Sequence, residues 1–329
     1  MSCPGIVHCG AGYVSLTWKR SKFSVSEDGS VNVKGAYFDT INTIRAWCST
    51  STLDEALAEC QKYSELLSKT VPGSDVWRVN HARGETVTVN EKTMAILRLA
   101  QEVSEASGGA FNIAVGPAVE LWHFTDGMAV LPDAKALADA VARADFTKIR
   151  LEENAIRVPP ETLIDLGGIA KGYIADRIAD FLRERGVKSA MLNFGGNVVT
   201  VGNKPDGSSW KVGLQNPLGR RGEDFWAFVE SRDSTVVTSG IYERGFELNG
   251  QWYHHILDPR TGWPVQNNLL AVTACAKSSM LADALTTAMF VLGPAEGSQL
   301  AEKFDVDVVF LEKNNRVTYT EGLNITFVG

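Results

Sequence analysis

The sequence predicts an α+β fold built as two tightly packed lobes. Apolar residues recur at helical spacing mostly before Gly186 and at strand spacing mostly after it. The 329 residues, 44% of them hydrophobic, suffice for one large core or for two lobes sharing a cleft. No internal repeat, low-complexity tract or long linker separates the halves, which favours close packing over beads on a string.

The elements follow in order. Val14 to Trp47 alternates in short runs broken by Asp28-Gly29, a hairpin followed by a longer strand from Asn42 to Trp47. Ser51-Thr52 with Glu55 supplies a cap for a helix from Leu53 to Leu67, whose Leu53, Ala56, Leu57, Cys60 and Tyr63 share one face. Pro72-Gly73 ends it, and Ser74 to Asn80 reads as a polar stretch leading to a short strand, Glu85 to Val89. Asn90 caps a second helix that stops at Gly108-Gly109. A short helix carrying Leu121 and Trp122 follows, then an Asp133-capped helix from Ala134 to Ala144. Two or three strands come next, the last ending at Thr162-Leu163-Ile164. After a glycine-rich turn, Ile174, Ile178, Phe181 and Leu182 mark a helix that Gly186 stops. Strands are expected at Ser189 to Asn193, Val198 to Val201, Trp210 to Gln215, Phe225 to Glu230, Thr235 to Ser239, Phe246 to Leu248, Trp252 to Leu257 and Leu269 to Ala276. Helices Leu281 to Leu292 and Pro294 to Lys303 and three short strands close the chain.

A net charge of -7 argues against a general binder of nucleic acid or membrane surfaces. Apolar runs such as Met289 to Gly293 and Val306 to Leu311 are far too short to span a bilayer, so no integral membrane segment is expected. Met1 to Val14 lacks the basic start and apolar stretch of a secretory signal, so the chain as written reads as cytoplasmic; a trimmed, exported form would look the same. The cysteines Cys3, Cys9, Cys48, Cys60 and Cys275 are odd in number and scattered, which reads as free thiols in a reducing compartment.

Four constellations carry chemistry. The turn Asp165-Leu166-Gly167-Gly168-Ile169-Ala170-Lys171-Gly172 joins a strand end to a helix, and a helix N-terminus offers unpaired N–H groups to an anion, phosphate above all. It is neither GxGxxG nor GxxxxGK[ST], and a plain connection with no ligand is equally open. Asn193-Phe194-Gly195-Gly196-Asn197 is either a hairpin turn or a second wall of the same crevice. Tyr253 to Pro264 contains adjacent histidines that point to opposite faces of a strand, so at most one serves a given site; both as chance surface residues is the competing reading. Asp283 and Thr287 stand four apart on one helical face and offer the hard oxygens that suit Mg²⁺, or else are an ordinary cap and a hydroxyl bonded back to a carbonyl.

Taken together these blocks resemble the ApbE family, the FAD:protein FMN transferases. The likeness rests on Ser74 to Asn80, Gly109 to Asn112 with Gly116-Pro117 and Leu121-Trp122, Asp165 to Gly172, Asn193 to Asn197 with Trp210, Thr238-Ser239-Gly240, His255 to Pro259 with Thr261-Gly262 and Pro264, and Ala282-Asp283 through Thr287 with Gly293. These run in family order from about Phe38 to the end, so residues 36–329 are expected to form the ApbE-like flavin transferase domain, behind an N-terminal extension, residues 1–35, that matches nothing. Many members are exported lipoproteins, whereas no lipobox is visible here, and Phe38-Asp39-Thr40 stands where many have Met-Gly-Thr.

The resemblance implies FAD lying between the lobes as substrate, with Mg²⁺ on its diphosphate. The metal ligands would be Asp283, Thr287 and the carbonyl of Ala170. Gly167, Gly168 and Lys171 would line the diphosphate, Thr238 and Ser239 would contact FAD, and Phe38, Thr70 and Asp176 would lie near the adenine end or the rest of it. His255 matches the family's general base, with Asp283 the second catalytic residue; His254 does not match. The implied reaction is attack by a Thr or Ser hydroxyl of a flavoprotein bearing a D-x-x-[ST]-[GS]-[AS]-[ST] segment, giving a phosphoester-linked FMN and AMP. A Mg²⁺-dependent FAD pyrophosphatase, with water as acceptor, and a non-catalytic FAD-binding protein are the alternatives.

Overall fold

A computed structural model describes residues 23–38, 40–124 and 128–328. Residues 1–22, with Cys3, Cys9 and the start of the expected first hairpin, lie outside the described residues, as does Asp39. Among the described residues no helix is long and apolar enough to cross a membrane, and Cys48, Cys60 and Cys275 are free thiols.

The chain opens with strands β1 (Ser24–Val25), β2 (Val31–Tyr37) and β3 (Thr40–Ala46). Helix α1 (Thr50–Leu67) is capped by Ser49, whose Oγ accepts from the N–H of Thr52, two residues earlier than the sequence reading placed the cap. A run of four hydroxyl residues, Ser49 to Thr52, offers several capping positions, and the backbone turns helical at the first of them.

The polar stretch Ser74 to Asn80 is instead mostly helical: α2 (Asp75–His81) starts on a Ser74 cap that accepts from Trp77 N–H, with Val76 and Val79 buried. A two-turn helix with two apolar contacts leaves too little periodicity to read. Strand β4 (Val87–Thr88), helix α3 (Glu91–Ala106), the single turn α4 (Gly116–Val119), helix α5 (Ala134–Arg143) and strands β5 (Arg150–Leu151) and β6 (Ala155–Arg157) complete this part. The short helix therefore ends before Leu121 and Trp122, starting where Pro117 presets the first turn. Thr162 to Ile164 is not a strand: Leu163 makes one parallel bridge to Val115, and Asn80 takes both the N–H and the C=O of Ile164.

Helix α6 (Ala170–Glu184) follows the glycine turn, then strands β7 (Ala190–Phe194), β8 (Asn197–Val201), β9 (Trp210–Gln215), β10 (Phe225–Ser231), β11 (Thr235–Gly240), β12 (Gly245–Leu248), β13 (Gln251–His254) and β14 (Leu269–Ala276). Helices α7 (Ser279–Leu292) and α8 (Pro294–Lys303) and strands β15 (Asp307–Glu312), β16 (Val317–Tyr319) and β17 (Ile325–Phe327) end the chain. Expected strand Trp252 to Leu257 stops at His254, because the chain turns into the Asp258 loop, where Asp258 N–H pairs with Trp263 O.

Among the described residues nine strands form one antiparallel sheet in the order β1-β2-β3-β7-β8-β11-β14-β15-β16. Helices α1, α6 and α7 cover one face, and a three-stranded sheet, β17-β10-β9, packs its Val212, Leu214, Ala227 and Val229 against Val198 and Val236 on the other. One buried cluster runs from Val33 and Ile44 of the large sheet through Ile174 and Leu285 to Leu97 of α3 and Ile156 of β6, so the α2–β6 region and the sheet share a core. The mixed helix and strand architecture is the α+β fold that the segregated patterns predict.

Two details set the site. The α6 and α7 backbones touch at Gly172, where a Cβ would lie 2.2 Å from Ser279 O. Asp176 of α6 then caps α7, accepting from Ser278 Oγ at 2.9 Å, Ser279 N–H at 2.8 Å and Met280 N–H at 3.0 Å.

Candidate active site

The glycine turn is pinned at several points. Asp165 Oδ1 accepts from Gly167 N–H at 2.7 Å, while its Oδ2 holds Lys69 Nζ at 2.7 Å. The C=O of Gly167 accepts from Lys171 Nζ at 2.9 Å. Gly168 is tightly surrounded, since a Cβ there would sit 3.2 Å from Thr287 Oγ1 and 3.3 Å from Phe111 Cε2. Among the described residues no side chain caps the start of α6.

Asp283 faces this turn from α7 and is only 3% exposed. Its Oδ2 accepts from Gly172 N–H at 3.0 Å, and Lys171 Nζ lies 3.3 and 3.4 Å from its two oxygens. Burying an unpartnered carboxylate is costly, and the ammonium and the N–H are the partners that offset that cost here. Thr287 follows one turn later, its hydroxyl donating to Asp283 O at 3.3 Å. Thr286 donates to the same carbonyl at 3.0 Å and accepts from Ser239 Oγ at 2.9 Å, which joins β11 to the site. Thr238, its neighbour, points to the other face and pairs with Thr273 at 2.8 Å. One buried carboxylate, one hydroxyl and a first-turn carbonyl at Ala170 are a hard-oxygen donor set, and they fit a Mg²⁺ that takes its remaining ligands from water and phosphate.

The adjacent histidines have different surroundings. His254 is buried, its Nε2 3.2 Å from Val265 O, and desolvation holds its pKa down to about 4. His255 meets Arg244 O twice, through its backbone N–H at 3.2 Å and through Nδ1 at 3.2 Å. A carbonyl only accepts, so Nδ1 carries the proton and Nε2 keeps its lone pair. Desolvation, and then the charge of Arg244, lowers the His255 pKa to about 3, with a smaller contribution from Lys171. The imidazole is therefore neutral, and the charge of Lys171 links it electrostatically to the Asp283 set.

The remaining expected residues are dispersed. Phe38 has a left-handed backbone, φ 54°, and its C=O accepts from Arg244 Nη2 at 3.3 Å, tying the β2–β3 turn to the His255 support. Thr70 is exposed on a turn organised by Ser68 Oγ. Both carboxylate oxygens of Asp176 are engaged by α7. Gly167, Gly168, Lys171, Asp283, Thr287 and Ser239 thus form one connected set, and Ala170 adjoins it; Thr238 and Asp176 turn elsewhere. Sequence reasoning missed Lys69, Thr286, Arg244 and the Gly172 N–H. The pairs Lys69–Asp165 and Gly172–Asp283 are 96 and 111 residues apart, and no local pattern announces such pairs.

A model of the ApbE family matches residues 38–310. A FAD:protein FMN transferase of Klebsiella pneumoniae (strain 342) is 37% identical over 287 residues, 83% of this chain and 88% of the relative. One of Treponema pallidum (strain Nichols) is 36% identical over 291 residues, covering 83% and 80%. Among solved structures, the ApbE protein of Thermotoga maritima MSB8 matches with a TM-score of 0.80 at 28% identity, over 89% of this chain and 97% of that one. Flavin transferase ApbE of Vibrio cholerae matches with a TM-score of 0.77 at 26% identity, over 88% and 96%.

Proposed function

We propose, from the premise that this chain belongs to the ApbE family, that it is an FAD:protein FMN transferase working on a Thr or Ser hydroxyl of a target flavoprotein. The domain responsible spans residues 36–329. FAD is the donor, and the products are AMP and a phosphoester-linked FMN. The acceptor segment is taken to be D-x-x-[ST]-[GS]-[AS]-[ST].

The observation that carries the mechanism is His255. Its Nδ1 is occupied by Arg244 O, and its Nε2 is unprotonated at neutral pH. Nε2 accepts the proton of the incoming hydroxyl, whose oxygen attacks the FMN-side phosphorus as the bond to the AMP oxygen breaks. Gly167 and Gly168 let the backbone approach the diphosphate, and Lys171 supplies a positive charge beside it. Asp283, Thr287 and the Ala170 carbonyl would hold Mg²⁺, which when bound neutralises diphosphate charge. Ser239 supports the Thr286 side of α7, and Phe38 and Thr70 are assigned to the remaining FAD contacts, while Thr238, bonded to Thr273, and Asp176, bonded to α7, act through packing.

Mass spectrometry of an acceptor domain carrying that segment, incubated with the protein, FAD and Mg²⁺, tests the proposal. A mass gain equal to an FMN phosphoester, abolished by EDTA, is expected. Free FMN and AMP with no gain would transfer the role of acceptor to water, and tight FAD binding without AMP would leave a binding protein.

A further inference from the structure

We infer that Lys69 is a diphosphate-binding cation of this site, one that exchanges Asp165 for the substrate; the inference rests on the transferase reading above. Lys69 sits on a fixed turn. The N–H groups of Thr70 and Val71 both donate to Ser68 Oγ at 3.1 Å, and Ser74 Oγ donates to Ser68 O. From there Nζ reaches Asp165 Oδ2 at 2.7 Å, while Asp165 Oδ1 accepts from Gly167 N–H at 2.7 Å. At the carbonyl of the same residue, Lys171 Nζ donates to Gly167 O at 2.9 Å. Two ammonium groups therefore flank one glycine of the turn, on a chain whose net charge is -7 and which must attract a dianion.

The two lysines are not equivalent. Lys171 has three oxygens around it and is 20% exposed. Lys69 has one partner among the described residues and is 39% exposed, and an exposed ion pair of this kind adds little to stability. Exchanging a singly charged carboxylate for a diphosphate oxygen is then inexpensive for the fold and favourable for the ligand. Asp165 loses nothing essential in the exchange, because its bond to Gly167 uses the other oxygen.

Binding of FAD, ADP and riboflavin to the full chain with Mg²⁺, followed by calorimetry, separates this role from a structural one. Lys69→Met is expected to raise Kd for FAD and ADP about tenfold, leave riboflavin unchanged and flatten the salt dependence, as loss of one charged contact does. Asp165→Asn keeps the acceptor for Gly167 and releases Lys69, so its Kd for ADP should equal or fall below that of the wild type. If both variants weaken ADP binding alike, the pair only holds the turn and the inference is overturned. A Lys69→Met Kd within twofold of wild type overturns it while the transferase reading stands. A wild-type chain that binds no FAD overturns both.

Discussion

The N–H of Gly172 donates to Oδ2 of Asp283 at 3.0 Å, so the carboxylate on α7 is aimed by the first turn of α6. Replacing Asp283 by Asn keeps the shape and removes the charge. The expected result is loss of Mg²⁺-dependent FMN transfer by at least about 100-fold, with the fold retained. Asp283→Ala should abolish transfer and also lower stability by about 1–3 kcal/mol, since Gly172 N–H is left unpaired in the interior. Transfer assays and thermal melts of the two variants check both statements.

Gly172 itself tolerates no side chain. A Cβ would meet Ser279 O at 2.2 Å and Met280 Cα at 2.8 Å, so Gly172→Ala must push α7 away from α6. A loss of about 1–3 kcal/mol or more is expected from the overpacking, together with a fall in transfer as Asp283 leaves its place. A melting temperature equal to that of the wild type would contradict this packing.

Asp176 predicts a stability effect of its own. Three donors at the start of α7 depend on it, and Asp176→Ala should cost about 1–3 kcal/mol of stability. Urea unfolding of the variant measures it. The FAD Kd of whatever fraction remains folded then reports any ligand contact separately.

His255 gives a pH prediction with a definite sign. With a folded pKa of about 3 against 6.5 in the unfolded chain, protons bind the unfolded state first as pH falls. The stability this neutral imidazole confers is complete above pH 6.5 and declines from there toward pH 3. By pH 5 the loss from this group is about 2 kcal/mol. Melting curves of His255→Gln should therefore depend less on pH between 7.5 and 5 than those of the wild type. For catalysis the same shift means no fall in rate through pH 6.5 from this group, and His255→Gln should slow transfer by about 10²–10⁴ with FAD affinity within about twofold.

Much of this was legible in the sequence where one residue had one job. Asn90 and Asp133 cap the helices they were expected to cap, and strands Trp210–Gln215 and Leu269–Ala276 have the bounds that alternation predicts. Helix α2 escaped because its polar residues outnumber its two buried valines, and its start depends on a single serine oxygen. At the site, spacing alone offered Asp283 with Thr287 and the paired histidines, but it could not say how each ring is held. Val265 O takes His254 Nε2 and leaves its Nδ1 buried, whereas Arg244 O, eleven residues away across a hairpin, takes His255 Nδ1 and leaves its Nε2. Likewise the resemblance put Asp176 near the FAD, and its bonds to three donors of α7 come only from the crossing of α6 and α7.

The order of the large sheet has a consequence for how the chain reaches its native state. Strand β3 ends at Ala46, yet its other neighbour, β7, begins only at Ala190, after α1 to α6. During synthesis the β2–β3 hairpin must therefore persist with one edge open until the intervening helices have emerged, and joining it to β7 closes a very long loop. Such non-local pairing is slow and exposes an aggregation-prone edge. Refolding should accordingly show a late phase in which α1 and α6 are already helical while Ile44 and Leu192 remain unpaired, and dilute protein should refold with higher yield than concentrated protein.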